Sequence, residues 1–233
     1  MKRISRHLAL IAIPVLFALG LHGHSKPVQA ADPETLEVKG RDIQVIDGDT
    51  ILIAGKVADI AGIDAPELGQ QCLRNGDVWD CGMSSAMQLR KYFAMAPFDV
   101  RCWPGNPERA GKDDNFPVVE CGIGDRDVAA AMIRDGEALP IEGYSHRYDG
   151  LSREASNAKI GIHGGNMIAP ADWRAGKRLD DETGKCLFIT DGKGNYLSSI
   201  DPRYAEIDQT ANTALCSDEE ARAMALSYLP HTP

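Results

Sequence analysis

Five short runs of β-branched and apolar residues, with about three capped helical runs set between and after them, precede a tail that carries its own cysteines. That order predicts a mainly β fold with α: a five-stranded barrel of the OB type, plus a small disulfide-stapled C-terminal module. The 233 residues suit one or two globular domains, and 43% hydrophobic content without a low-complexity tract excludes disorder, collagen and coiled coil.

The first two strands are expected at 43–46 and 50–53, because Asp47-Gly48-Asp49 between β-branched runs is a hairpin signal. A Gly-Lys corner leads to a third strand at 57–63. Ser84 or Ser85 can cap a helix to about Met95, whose Met87, Leu89, Tyr92 and Phe93 form one broad apolar face. Strands at 98–103 and 117–121 flank a charged, Pro/Gly-rich loop. Asp127 caps a helix over 128–135 that Gly136 ends, and another runs from about Leu151 to Ile160 before Gly161. Polar residues from Lys177 to Lys185 suit a linker. A tail hairpin is expected about the turn 191–194, and Ser217-Asp218-Glu219-Glu220 is a capping box opening a helix to about Leu229.

Residues 1–30 form an expected export signal. Lys2, Arg3 and Arg6 precede an apolar run over 8–21, too short to span a bilayer comfortably, and Val28-Gln29-Ala30 presents small residues for cleavage after Ala30. The protein is then exported, periplasmic or extracellular, with no membrane span after cleavage. Removing the signal leaves 21 bases against 34 acids, a net charge of −13, which excludes a strong non-specific nucleic-acid binder. Six cysteines in an oxidising compartment suggest three disulfides, for which sequence alone allows fifteen pairings. Cys102 and Cys121 fall on strands expected to be neighbours, Cys72 and Cys81 bracket one loop, and elimination leaves Cys186 with Cys216. Their spacing and the scattered histidines do not suit zinc.

The string Val45-Ile46-Asp47-Gly48-Asp49-Thr50, followed fourteen residues after Thr50 by Asp64-Ala65-Pro66-Glu67, resembles the staphylococcal-nuclease (thermonuclease) family. Arg126-Asp127-Val128-Ala129-Ala130, Gly136-Glu137-Ala138-Leu139, Tyr144-Ser145 and Glu154 extend the resemblance over about 36–170. The tail looks like a short module that exported bacterial relatives carry, so the chain divides into a signal (1–30), a thermonuclease-like domain (36–170), a linker (171–181) and a module (182–233). The resemblance implies a monomeric OB-fold hydrolase cleaving DNA and RNA phosphodiesters with one calcium ion. Asp49, Asp64 and the Ala65 carbonyl would hold the ion, and Glu67 would orient or deprotonate the attacking water. A hard cation beside such a carboxylate fits that chemistry. Tyr144, Tyr148, Arg109 and Lys112 are the candidates for contact with single-stranded nucleic acid.

Two departures bear on activity. The family's arginine five residues before the second metal aspartate is Asp59 here, and its second arginine falls on Phe116. Such arginines stabilise charge on a transferring phosphoryl group, and loss of one donor typically costs about 10² to 10³ in rate. Lys56 lies an odd number of residues from Asp59 and faces the other side of the strand. The leading expectation is therefore a weak or inactive nuclease acting as a binding module. Alternatives are an active calcium-dependent endonuclease with its cation supplied from the loop by Arg109 or Lys112, and an envelope or exopolysaccharide accessory protein. The plain counter-reading is that Asp47, Asp49, Asp64 and Glu67 are ordinary turn residues, and that Tyr144 and Tyr148 pack in the core or at its rim. A guanidinium within reach of Asp49, Asp64 and Glu67 favours the enzyme, and a bare acidic pocket favours the module.

Overall fold

The hairpin turn expected at 47–49 forms for the reason the sequence supplies: Asp47 Oδ1 accepts from the backbone N–H of Asp49 at 3.1 Å and of Thr50 at 2.9 Å. Gly48 has no alternative there, since a Cβ would lie 2.2 Å from Ser85 Oγ and 2.7 Å from Ala65 Cβ. The computed structural model describes residues 35–106 and 117–230. The expected export signal, and Arg109, Lys112 and Phe116, lie outside these residues.

The turn joins β2 (Gln44–Val45) to β3 (Thr50–Ile53), after β1 (Leu36–Val38) and a 3-10 turn at Gly40–Asp42. Ala54 and Gly55, both at positive φ, make the tight turn into β4 (Lys56–Ile60), which β5 (Ile63–Asp64) follows. A side hairpin of β6 (Cys72–Arg74) and β7 (Asp77–Trp79) leads into the helix Cys81–Ala94. Then come β8 (Val100–Pro104), β9 (Val118–Ile123), β10 (Arg126–Asp127), the helix Val128–Arg134 and β11 (Leu139–Pro140). Helices Asp149–Asn157 and Pro170–Arg174 precede the tail, which holds β12 (Phe188–Thr190), β13 (Asn195–Ser198), β14 (Ala214–Leu215), the helix Asp218–Ala223 and β15 (Ser227–Tyr228).

The class is thus mixed α and β, with fifteen strands and five α-helices among the described residues. The main sheet runs β1-β8-β9-β4-β3-β2 with β10 on β9. Among the described residues it is an open path and not a closed barrel. Its one parallel pairing, β4 with β9, sets Asp59 opposite Val118 and Ile60 opposite Val119.

Element boundaries moved where tertiary contacts outweigh local signals. The first long helix begins at Cys81, ahead of Ser84 and Ser85, because Cys81 is tied to Cys72 and both serines serve other partners. Ser84 Oγ donates to Glu137 Oε1 at 3.1 Å, and Ser85 Oγ to the Glu137 carbonyl at 2.7 Å. Asp127 caps its helix as expected, accepting from Ala130 N at 3.1 Å. The last helix stops at Ala223 instead of reaching Leu229, because Ala225 takes a positive φ and Ser227–Tyr228 turns away to pair in parallel with β13.

All three disulfides join the expected partners, with Cys102 and Cys121 directly opposite in the β8–β9 register. No helix among the described residues is long and apolar enough to cross a membrane.

All four residues of β3 are buried, so both of its faces are covered. Ile51 and Ile53 face a core shared with Ile60, Leu89, Phe93, Val100 and Met132. Leu52 faces a second core, in which Ile46, Leu68 and Ala86 meet Phe188, Tyr196, Leu197, Leu215 and Tyr228 of the tail. The C-terminal residues therefore share a core with the main sheet instead of standing apart behind a linker, and the stretch 171–181 begins inside the helix Pro170–Arg174 with Trp173 buried. Replacing Cys186 and Cys216 together by serine is expected to cost about 2–4 kcal/mol. Because the core is shared, urea unfolding of that variant followed by tail and main-sheet probes should remain one transition. Two resolved transitions would show that the tail unfolds by itself.

Candidate functional site

The carboxylates singled out by spacing do converge. Asp59 on β4 stands opposite Thr50 on β3, and Thr50 Oγ1 donates to Asp59 Oδ1 at 3.1 Å and reaches Asp49 Oδ1 at 3.3 Å. Asp49 Oδ2 accepts from the backbone N–H of Ala65 at 2.9 Å, which ties the hairpin turn to the segment carrying Asp64 and Glu67. Glu67 is held by its own N–H, which donates to Gln70 Oε1 at 3.2 Å, while Gln70 Nε2 donates to the Ile168 carbonyl at 2.6 Å. Glu67 is only 3% exposed.

Two guanidiniums enter this cluster, and both come from beyond the expected domain. Arg174, at the end of the helix Pro170–Arg174, places Nη1 at 3.0 Å from Asp64 Oδ1 and 2.5 Å from Glu67 Oε1. That helix is anchored by Trp173, whose Nε1 donates to Glu182 and whose ring carries the Arg178 guanidinium 3.7 Å from its centroid. Arg222, on the last helix, grips Asp59 with both terminal nitrogens at 3.1 and 3.2 Å, and its Nε lies 2.5 Å from Asp218 Oδ2. Asp218 also accepts from the Tyr196 hydroxyl. Glu219 Oε1 lies between the arginines, 3.9 Å from Arg174 and 3.8 Å from Arg222.

Seven carboxyl groups (Asp47, Asp49, Asp59, Asp64, Glu67, Asp218 and Glu219) thus surround two cations. Burial first, then the charges of Glu219 and Asp47, push the Glu67 carboxyl well above its usual range, against the opposing pull of Arg174. Asp47 is raised in the same way by burial and by Asp49. Burial works against the charge of Arg174, but Glu67, Asp64 and Glu219 outweigh it and hold the guanidinium more firmly protonated than usual. The two directions are compatible, because one cation shared among several carboxyls cannot offset the repulsion that each one feels.

In this arrangement the carboxyls expected to hold calcium are each engaged by another partner. Among the described residues no group of three His, Cys, Asp or Glu side chains is disposed to hold a metal. Asp64 and Glu67 each give an oxygen to Arg174, and Asp49 gives one to the Ala65 N–H. Glu67 Oε2 is buried with no hydrogen-bond partner among the described residues.

Tyr144 and Tyr148, candidates for nucleic-acid contact, are buried. Their hydroxyls donate to Glu120 at 2.8 Å and Asp127 at 3.0 Å, and their rings close over Gly62, where a Cβ would lie 2.6 Å from one and 2.7 Å from the other. Arg174, Arg222 and Asp218 were not singled out from sequence. The i, i+4 spacing of Asp218 and Arg222 is the one local signal that points to any of them.

No protein-family model matches the chain. Over 98 residues the chain is 39% identical to the curated "Succinoglycan biosynthesis protein ExoI" of Rhizobium meliloti (strain 1021), a match covering 41% of this chain and 48% of that protein. The chain therefore spans about half the length of this relative.

Proposed function

We propose that this chain is an exported protein on a thermonuclease-like scaffold whose carboxylate cluster is neutralised from within, and that it serves as a binding or accessory module of the cell envelope. It is not an efficient phosphodiester hydrolase. The observation that carries this reading is the state of Glu67: the residue that would act on water is 3% exposed and held by Arg174 at 2.5 Å. A base so enclosed and already paired with a guanidinium is poorly placed to take a proton from an attacking water. The relative named for succinoglycan biosynthesis supports the envelope role. The OB reading of the main sheet draws support from its edges. β1 pairs with β8 and β2 pairs with β3, yet only five residues separate β1 from β2, as in a first strand bent across both ends of a rolled sheet.

A second reading, the active endonuclease, is favoured by one observation: two guanidiniums do lie at the cluster, the number the resemblance calls for, and Arg222 sits against the Asp59 that replaces one of them. Against it, both guanidiniums are bound to carboxylates, and the Arg222 side chain is 5% exposed. A nuclease assay on single-stranded DNA separates the two readings. The expected result is cleavage by the wild type no faster than by Glu67→Gln, with or without calcium. Calcium-dependent cleavage that Glu67→Gln abolishes, and that falls about 10²-fold or more in Arg174→Gln, would establish the enzyme instead.

A further inference from the structure

We propose that Arg174 is a built-in counter-ion that takes the place of a divalent cation between Asp64 and Glu67, so that cation binding at the cluster and seating of Arg174 exclude one another. This rests on the reading of the cluster as internally neutralised and adds which residue closes it and against what. Three observations carry it. Asp64 and Glu67 converge on a single nitrogen, Nη1 of Arg174, at 3.0 and 2.5 Å. Glu67 Oε2 is left buried and without a partner, so the guanidinium satisfies only half of that carboxylate. Seven carboxyls around two arginines leave hard oxygen ligands in excess, which suits a small divalent ion wherever those oxygens become available to it.

The exchange needs no unfolding of the main sheet. A cleft of about 440 Å³ between Trp173, Arg174 and Arg178 on one side and Ser217, Glu219 and Glu220 on the other leads to Arg174. The Arg174 side chain is 23% exposed, whereas Arg222 is enclosed. Arg174 is therefore the cation that can leave, and Arg222 the one that stays. A hard ion entering as Arg174 withdraws would gain Asp64 and both oxygens of Glu67.

Calcium chloride at about 1 mM, added to the purified chain with its disulfides intact, tests this by thermal unfolding and titration calorimetry. The wild type should show no calcium-dependent change in Tm and no binding heat. Arg174→Gln should gain a calcium-dependent rise of about 5 °C or more, which Asp64→Asn in the same chain removes. Arg174→Lys keeps the charge and should behave as wild type. Arg147→Gln breaks an ion pair with Glu120 and Asp127 outside the cluster and should gain nothing. Calcium binding by the wild type as tight as by Arg174→Gln overturns the proposal, and so does a folded Arg174→Gln that gains none. Should Arg174→Gln fail to fold, calorimetry on the wild type and Arg174→Lys decides, since binding to either one refutes a seated counter-ion. Cleavage of DNA by a wild type that ignores calcium would instead refute the accessory role and leave this inference standing.

Discussion

Arg222→Met is expected to lower the free energy of unfolding by about 3–5 kcal/mol, the cost typical of breaking a buried ion pair from one side. Asp59 is 1% exposed and Asp218 is fully buried, and this one guanidinium contacts both. Removing it leaves two carboxyls in the interior, beside Thr50 and Tyr196, without the cation that bridges them. Burial pushes the Asp218 carboxyl up to about 7 even with Arg222 present, because Glu219 and Asp59 crowd the same cation. Arg222 itself stays protonated, held by Asp218 and Asp59 against the cost of its own burial. Asp59→Arg, the substitution that sequence alone would choose to restore a phosphate clamp, should also destabilise, since it sets a second cation against Arg222 in a closed space. The combination Asp59→Asn, Asp218→Asn and Arg222→Met should recover most of the loss, because removing a whole buried ion network is often nearly neutral where removing half is not. Urea unfolding of the three variants at one pH measures this. A loss below about 1 kcal/mol for Arg222→Met would mean that water or a rearranged neighbour replaces the guanidinium.

What the sequence made legible is what is local. The Asp47 turn, the Asp127 cap and the Ser217 cap each depend on a bond spanning two or three residues, and each forms. The Cys102–Cys121 pair could be placed because the two cysteines lie on adjacent strands, where a direct register sets them together. The boundaries of the first and last helices could not be read, because a disulfide fixes one start and a parallel strand pairing fixes the other end. The site divides along the same line. Asp47, Asp49, Asp64 and Glu67 lie within 21 residues and carry a recognisable spacing. Arg174 and Arg222 reach Asp64 and Asp59 across 110 and 163 residues, where no periodicity or cap operates. Within its own strand Asp59 has no cation in reach, since Lys56 faces the other side. Only the shared core of Leu52, Phe188 and Tyr196, which docks the tail on the outer face of β3, shows that the cation is supplied from the far end of the chain.

The protein is expected to be more stable at pH 5 than at pH 8, by on the order of 3 kcal/mol. Two carboxyls away from the proposed cation position set the sign. Asp218 is pushed up to about 7 from 3.8, chiefly by burial. Glu137 is pushed up to about 7 from 4.5, again by burial first, with the nearby charge of Asp135 adding and the Ser84 hydrogen bond opposing. In both, the folded state retains a proton that the unfolded chain has released, so stability is highest near and below pH 4 and is lost as pH rises through about 7. At about 1.4 kcal/mol per pH unit, Asp218 alone sets a ceiling of about 3 kcal/mol between pH 5 and pH 7, and Glu137, which is only half-buried, adds a smaller part. Asp80 and Asp191 are held below their usual values, but they titrate below this window. His163, lowered by burial, works in the opposite direction as pH rises toward 6.5. For a chain of this length the net loss corresponds to a fall in Tm of about 6–12 °C between pH 5 and pH 8. Glu137→Gln, which imitates the protonated form, should flatten the profile by raising Tm at pH 8 more than at pH 5, whereas Asp218→Asn should flatten it while losing the Arg222 ion pair at both pH values. A Tm that stays level or climbs from pH 5 to pH 8 in the wild type would mean that these buried carboxyls are ionised and matched by their arginine and serine partners, and that burial does not govern them.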